Sequence, residues 1–192
     1  SATAQSMSSL VSNLAVLFVC APLAAKLAQK AGKKELSAVS CLLGAAVWLI
    51  CLAIRPQSAM AFVGFYAVSY IGIGMFNTVI WAMITDVIDD AEVKNGIRED
   101  GTIYSVYSFA RKLGQALSSG MIGGLMTMIG YTDAVAASPS SYPEILGNIF
   151  NLSCIIPAIG LIAVALALLF IYPLTKNKVE VNVAELAKRR KK

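Results

Sequence analysis

Histidine is absent from all 192 residues, so no general acid, proton relay or metal ligand within this chain can be an imidazole. Charge is scarce as well. Asp, Glu, Lys and Arg make up 14% of the residues while 57% are hydrophobic, and the mean hydropathy is +0.70. A soluble domain carries about 25% charged residues, so this chain lacks the polar surface that water demands and lipid is its expected solvent. Cys20, Cys41, Cys51 and Cys154 stand singly inside apolar stretches, a distribution that offers neither a disulfide framework nor a metal-ligand spacing; they read as small buried hydrophobes. No basic leader precedes the first apolar stretch and the sequence opens Ser-Ala-Thr, so no cleavable signal peptide is expected and the chain reads as part of a longer one.

What is abundant is long apolar sequence. Runs cover about Gln5 to Ala25, Leu36 to Ile54, Ala59 to Thr85, Thr102 to Gly130 and Asn148 to Tyr172, each near or above the roughly 20 residues that a spanning helix needs. Strand-length alternation of the barrel type is missing, and helices satisfy their own backbone hydrogen bonds in lipid. The expected fold class is therefore all-α: a polytopic membrane helical bundle of five transmembrane helices over residues 1–175, followed by a cytoplasmic basic tail, 176–192.

The basic residues orient it. Lys26, Lys30, Lys33 and Lys34 follow the first run, and Lys176, Lys178 and the terminal KRRKK follow the last, which places both ends of that set in the cytoplasm. The connection after the second run holds only Arg55, and that from Tyr131 to Gly147 holds acids without Lys or Arg; both read as external. The N-terminus is then external, the C-terminus cytoplasmic, and the location a cell inner membrane. The net charge of +5 is accounted for by this topology and by attraction to anionic headgroups, so no nucleic-acid partner is needed.

Polar residues are few enough to be read one by one. Gln5, Ser9, Ser12 and Asn13 line one face of the first helix, open to interhelical hydrogen bonding or to a substrate-lining role; Pro22 is expected to kink its inner end. The second helix has no charged side chain and reads as a lipid-facing support. In the third, Gly64, Gly72 and Gly74 permit close backbone approach, while Asn77, Trp81 and Thr85 recur every four residues. Trp81 suits either a stack against a sugar ring or the interfacial aromatic belt. The fourth carries Ser105, Ser108, Lys112, Gln115 and Ser119 at spacings of three or four, a stripe that lipid does not tolerate. Lys112 falls roughly 15 Å past the preceding loop at about 1.5 Å per residue, near the middle of a layer about 30 Å thick. Arg111 shares that depth but points about 100° away and reads as snorkelling toward the cytoplasm. Asn148, Asn151, Ser153 and Pro157 mark the outer half of the fifth helix, and the terminal tail is expected to anchor at the inner leaflet.

Six of the eleven acids lie between Trp81 and Gly120. Asp86 and Asp89 are three apart, hence on one helical face, and Arg98 is the nearest basic partner to relieve their repulsion. Three readings are open for such a loop: a solvated charge run, a defined network, or a Mg2+-diphosphate site of an intramembrane transferase built on Asp86, Asp89 and Asp90. The last lacks a second acid cluster and a glycine-rich phosphate cradle. A structural membrane subunit without substrate is a further alternative.

From Trp81 to Ala116 the sequence WAMITDVIDDAEVKNGIREDGTIYSVYSFARKLGQA, closed by Gly130-Tyr131, resembles the glycoside-pentoside-hexuronide:cation symporters, the melibiose-permease branch of the major facilitator superfamily. The likeness lies over helices ten and eleven of such transporters and extends over the whole chain as helices eight through twelve. It implies a secondary transporter of sugar and a monovalent cation, Na+ or H+, with no enzyme activity, no cofactor and no resident metal, whose N-terminal half lies outside this chain together with most cation-coordinating acids and the principal sugar-binding carboxylate. It also implies that Lys112 belongs to the sugar and cation pathway, with Asn77, Trp81, Tyr107, Ser108 and Gln115 around it, and that Asp86, Asp89 and Arg98 form a lock on the cytoplasmic side. The chain departs from the melibiose-permease pattern at Asp90, a tyrosine there, and at Tyr107, a polar amide there; the second departure leaves the sugar preference open.

Overall fold

A computed structural model describes residues 20–191, and every regular element among them is helical. These are α1 (Ala21–Ala31), α2 (Lys33–Ile54), α3 (Ala59–Asn95), α4 (Asp100–Met128), α5 (Asp133–Ala137), a 3-10 turn at Pro139–Ser141, α6 (Pro143–Phe170) and α7 (Lys176–Arg189). Three of them, α2, α3 and α6, are long and apolar enough to cross a membrane. At 29 residues α4 has the length, about 43 Å, but Arg111, Lys112 and its serines and glycines dilute its apolarity. The expected first helix lies mostly outside the described residues, as do Gln5, Ser9, Ser12 and Asn13. The kink expected at Pro22 falls at the edge of the described residues, next to a helical Cys20.

The second helix requires a correction. Far from merely facing lipid, α2 is the centre of the bundle, flanked by α3 and α6, and it buries Leu36, Ser37, Ala38, Ser40, Cys41, Gly44, Ala45, Trp48 and Cys51. Only the opposite face, with Val39, Leu43 and Ile50, is exposed. Both faces are apolar, so periodicity cannot tell them apart; what distinguishes the packed one is small side chains, which let backbones approach where the hydrophobic effect offers no preference. The α2–α3 crossing shows this. A Cβ at Gly72 would strike the Ser40 carbonyl oxygen and lie 3.4 Å from the Gly44 backbone, and Ser69 Oγ donates to the Gly44 carbonyl across the same contact at 3.0 Å. Gly64, by contrast, has no neighbour within 4 Å of such a Cβ. Two apolar clusters flank the crossing, one around Cys20, Leu36, Met75, Met83 and Leu168, the other around Trp48, Cys51, Cys154 and Ala158.

Two boundaries also move. The third helix does not stop at Thr85 but continues through the acidic run to Asn95, closing on Gly96 at φ +74. At 37 residues it is about 55 Å long, so its last turns project beyond a hydrocarbon layer of about 30 Å. The tail is a helix as well: α7 folds back on that projection, burying Leu186 and Asn182, a protein contact that hydropathy did not signal.

Candidate functional site

The acidic end of α3 is a hub that faces three ways. Asp86, Asp89 and Asp90 each meet different cations. Asp86, only 5% exposed, accepts with both oxygens from Lys33 Nζ, on the first residue of α2, at 2.7 and 2.8 Å. Asp90 accepts from Asn182 of α7 at 2.9 Å and pairs with Lys94 at 2.6 Å and Lys178 at 3.6 Å. Asp89 and Glu92 share Arg98 Nη1, each at 2.8 Å, while Arg98 Nε reaches Asp100 at 3.0 Å. Arg190 of the tail adds a contact to Glu92 at 3.5 Å, and Arg189 donates to the Val93 carbonyl at 3.2 Å. The hydrogen bonds that Arg98 donates to Asp89, Glu92 and Asp100 push its guanidinium further above its already high range.

The expected Asp86, Asp89 and Arg98 set is thus divided. Arg98 holds Asp89, whereas Asp86 belongs to Lys33, which sequence spacing missed because the two lie 53 residues apart. The signal that was present is the basic cluster itself: a lysine at the short connection between two helices, facing a buried acid. Among the described residues no group of three potential metal ligands converges, and each of Asp86, Asp89 and Asp90 is directed at a different cation, which is unsuited to a shared Mg2+-diphosphate site.

Arg98 braces the turn between α3 and α4 through three carboxylates. Exposed pairs contribute about 1 kcal/mol or less each, so Arg98→Gln is expected to loosen the turn by about 1–2 kcal/mol and to accelerate amide hydrogen exchange at Gly96–Asp100 about five- to thirty-fold. Unchanged exchange there would show that the bonds do not hold the turn.

The second feature is a cleft of about 430 Å³ between α3 and α4, lined by Phe76, Asn77, Ile80, Trp81, Tyr107, Ala110 and Arg111. Trp81 meets Tyr107 edge-on with ring centroids 5.6 Å apart, and Tyr104 at 6.4 Å. Asn77, Trp81 and Tyr107 come together as expected. Ser108, Lys112 and Gln115 do not join them: they lie on the exposed face of α4, which buries none of its residues. In their place the cleft receives Arg111, one helical turn beyond Tyr107. The cue was in the sequence, since Tyr104, Tyr107 and Arg111 recur at three and four, but the serine stripe beside them was the stronger pattern.

The MFS/sugar transport protein family matches residues 1–176. The chain belongs to this family. It is 30% identical over 182 residues to the glucuronide carrier protein homolog of Escherichia coli, a match covering 95% of this chain and 39% of that protein. It is 32% identical to the putative sulfoquinovose importer of E. coli over 71% of this chain and 28% of the relative, and 31% identical to a putative glycoside/cation symporter of E. coli over 71% and 29%. The chain therefore spans about two fifths or less of the length of these relatives. No solved structure matches it. Family and apolar helices together make it a membrane-embedded member of a family of transport proteins, which gives the transferase alternative no support.

Proposed function

We propose that this chain is the C-terminal part, helices eight through twelve, of a sugar symporter of the inner membrane, coupled to Na+ or H+ and working by alternating access with its N-terminus external and C-terminus cytoplasmic. The observation that carries this is the α3–α4 cleft, where Asn77, Trp81 and Tyr107 meet in a chain that belongs to a sugar-transport family. An aromatic wall with one amide is the usual way to hold a sugar, whose ring has an apolar face and a hydroxyl edge. The five spans are completed in this reading by α4 and by the first apolar run. The exposed stripe of Ser108, Lys112 and Gln115 then faces the remainder of the transporter, which spares Lys112 a lipid environment; Lys112 contributes to the sugar and cation pathway from there.

Asp86, Asp89 and Arg98 act, with Lys33, Asp90 and Glu92, as the cytoplasmic gate. Their bonds tie the ends of α2, α3, α4 and α7 into one block that rocks as a unit, in keeping with rigid-body alternating access around a midplane site. The names of the relatives suit this reading: they are a glucuronide carrier homolog, a sulfoquinovose importer and a glycoside/cation symporter.

The test is solute accumulation in vesicles bearing the full-length gene product, driven by an imposed Na+ or H+ gradient. Trp81→Ala is expected to reduce glycoside uptake about tenfold, since loss of a ring stack costs about 0.5–1.5 kcal/mol beyond the area lost, with normal insertion in the membrane. Unaltered uptake would remove the cleft from the pathway, and a failure of any gradient to drive any glycoside would remove symport itself.

A further inference from the structure

We infer that the α3–α4 cleft is built for an anionic sugar, and that Arg111 is the residue that binds its carboxylate or sulfonate. The inference rests on the sugar-transport reading above and adds to it the charge of the cargo.

The decisive contrast is among the arginines. Arg55 donates to Asn151 at 3.0 Å, Arg98 meets three carboxylates, Arg189 meets Glu185 at 3.1 Å and Arg190 meets Glu92 at 3.5 Å. Arg111 alone makes no side-chain hydrogen bond or ion pair among the described residues, although it lines a cleft. The nearest acids in the chain, Asp100 and Glu99, precede it by eleven and twelve residues, about 17 Å or more along the helix axis, and Asp86, Asp89, Asp90, Glu92 and Asp100 are engaged with other cations.

A guanidinium stays charged at any accessible pH. Arg111 lies eleven residues into α4, about 17 Å along it, so it is deep in the layer, where an unpaired charge is costly and marks function by default. The side chain is exposed and borders the cleft beside Trp81 and Tyr107. The residue types also fit one ligand. A planar fork of N–H donors pairs two-to-two with a carboxylate or sulfonate. Trp81 and Tyr107, with centroids 5.6 Å apart and rings at 70°, offer two aromatic walls for the ring's apolar face, and the Asn77 amide donates to and accepts from hydroxyls. The volume, about 430 Å³, lies within the range of about 300–1,000 Å³ typical of small-molecule sites. A neutral sugar fills the same space but leaves Arg111 without a counter-charge.

The experiment compares three methyl glycosides that share a ring: the glucoside, the glucuronide and the 6-sulfonate. Each is offered to the full-length gene product in vesicles, as wild type, Arg111→Gln and Arg111→Lys, with membrane insertion measured for each. The wild type is expected to take up both anionic sugars at least tenfold better than the glucoside at equal low concentration. Arg111→Gln is expected to abolish that preference, lowering uptake of both anionic sugars at least tenfold more than that of the glucoside, and Arg111→Lys to keep part of it, since a lysine retains the charge without the fork. Preference for the glucoside in the wild type, or an equal fall in all three sugars with Arg111→Gln, overturns the inference, the latter because it shows Arg111 pairing with a carboxylate of the transporter itself. These outcomes leave sugar transport standing. Absence of uptake of all three sugars by inserted wild type overturns the transport reading and the inference together.

Discussion

Replacing Lys33 by Met is expected to weaken the folded bundle by about 3 kcal/mol, because it leaves the Asp86 carboxylate buried without a counter-charge. Asp86 is 5% exposed, and its two oxygens receive Lys33 Nζ at 2.7 and 2.8 Å; Lys33 donates also to the Ala82 carbonyl at 3.4 Å. The two partners are unequal. The Lys33 side chain is 32% exposed against 6% for Asp86, so a lysine that loses its partner can turn to water whereas the carboxylate cannot. Asp86→Asn, which removes the buried charge and keeps an acceptor, is therefore expected to cost less than Lys33→Met, and the double variant less than the sum of the two. Thermal unfolding in detergent followed by Trp48 fluorescence reads this directly. A loss of about 3 kcal/mol corresponds to about 6–12 °C for a chain of this size. Equal losses for Lys33→Met and Asp86→Asn would contradict the asymmetry.

The second large effect is expected at Gly72. A leucine there forces α2 and α3 apart, since even a Cβ strikes the Ser40 carbonyl oxygen and crowds Gly44, and both obstacles are backbone that no rotamer change can move. Overpacking of this kind costs about 1–3 kcal/mol, and separation of the helices also breaks the bond from Ser69 Oγ to the Gly44 carbonyl at 3.0 Å. Gly72→Leu is accordingly expected to lower the unfolding temperature by several degrees, while Gly64→Leu, with nothing within 4 Å of its Cβ, should stay within about 0.5 kcal/mol of wild type. Gly64 and Gly72 sit on the same helix and look alike in the sequence, so a similar response of the two variants would show that the crossing is not where the structure puts it.

The candidate site was legible wherever a pattern stayed local. Asn77 and Trp81 share a face of one helix, and Tyr107 with Trp81 was expected in the pathway; the structure brings these three together. Arg98 lies nine residues from Asp89, and that pair forms. Legibility failed where a choice between two faces had to be made. Lys112 and Arg111 are neighbours in sequence and about 100° apart on the helix, and nothing in α4 alone says which face meets α3. The serines around Lys112 advertised polarity, yet polarity marks any face that avoids lipid, not the one that forms this cleft.

Composition and hydropathy by themselves determined that this is a helical membrane protein. They placed α2, α3, α4 and α6 to within a few residues at most ends, because burial in lipid acts on each segment separately and every helix must satisfy its own backbone. They also carried the family likeness, through a run of residues contiguous in the chain. Tertiary structure decided the rest: that α2 is central, that the acids after Thr85 continue a helix and spread to three cations, that the tail is a helix seated on them, and that Arg111 rather than Lys112 enters the cleft. The reason is common to all four. Within lipid, apolar burial does not favour one helix face over another, so the arrangement depends on small residues, ion pairs and steric fit between segments up to 146 residues apart, none of which has a period that a sequence displays.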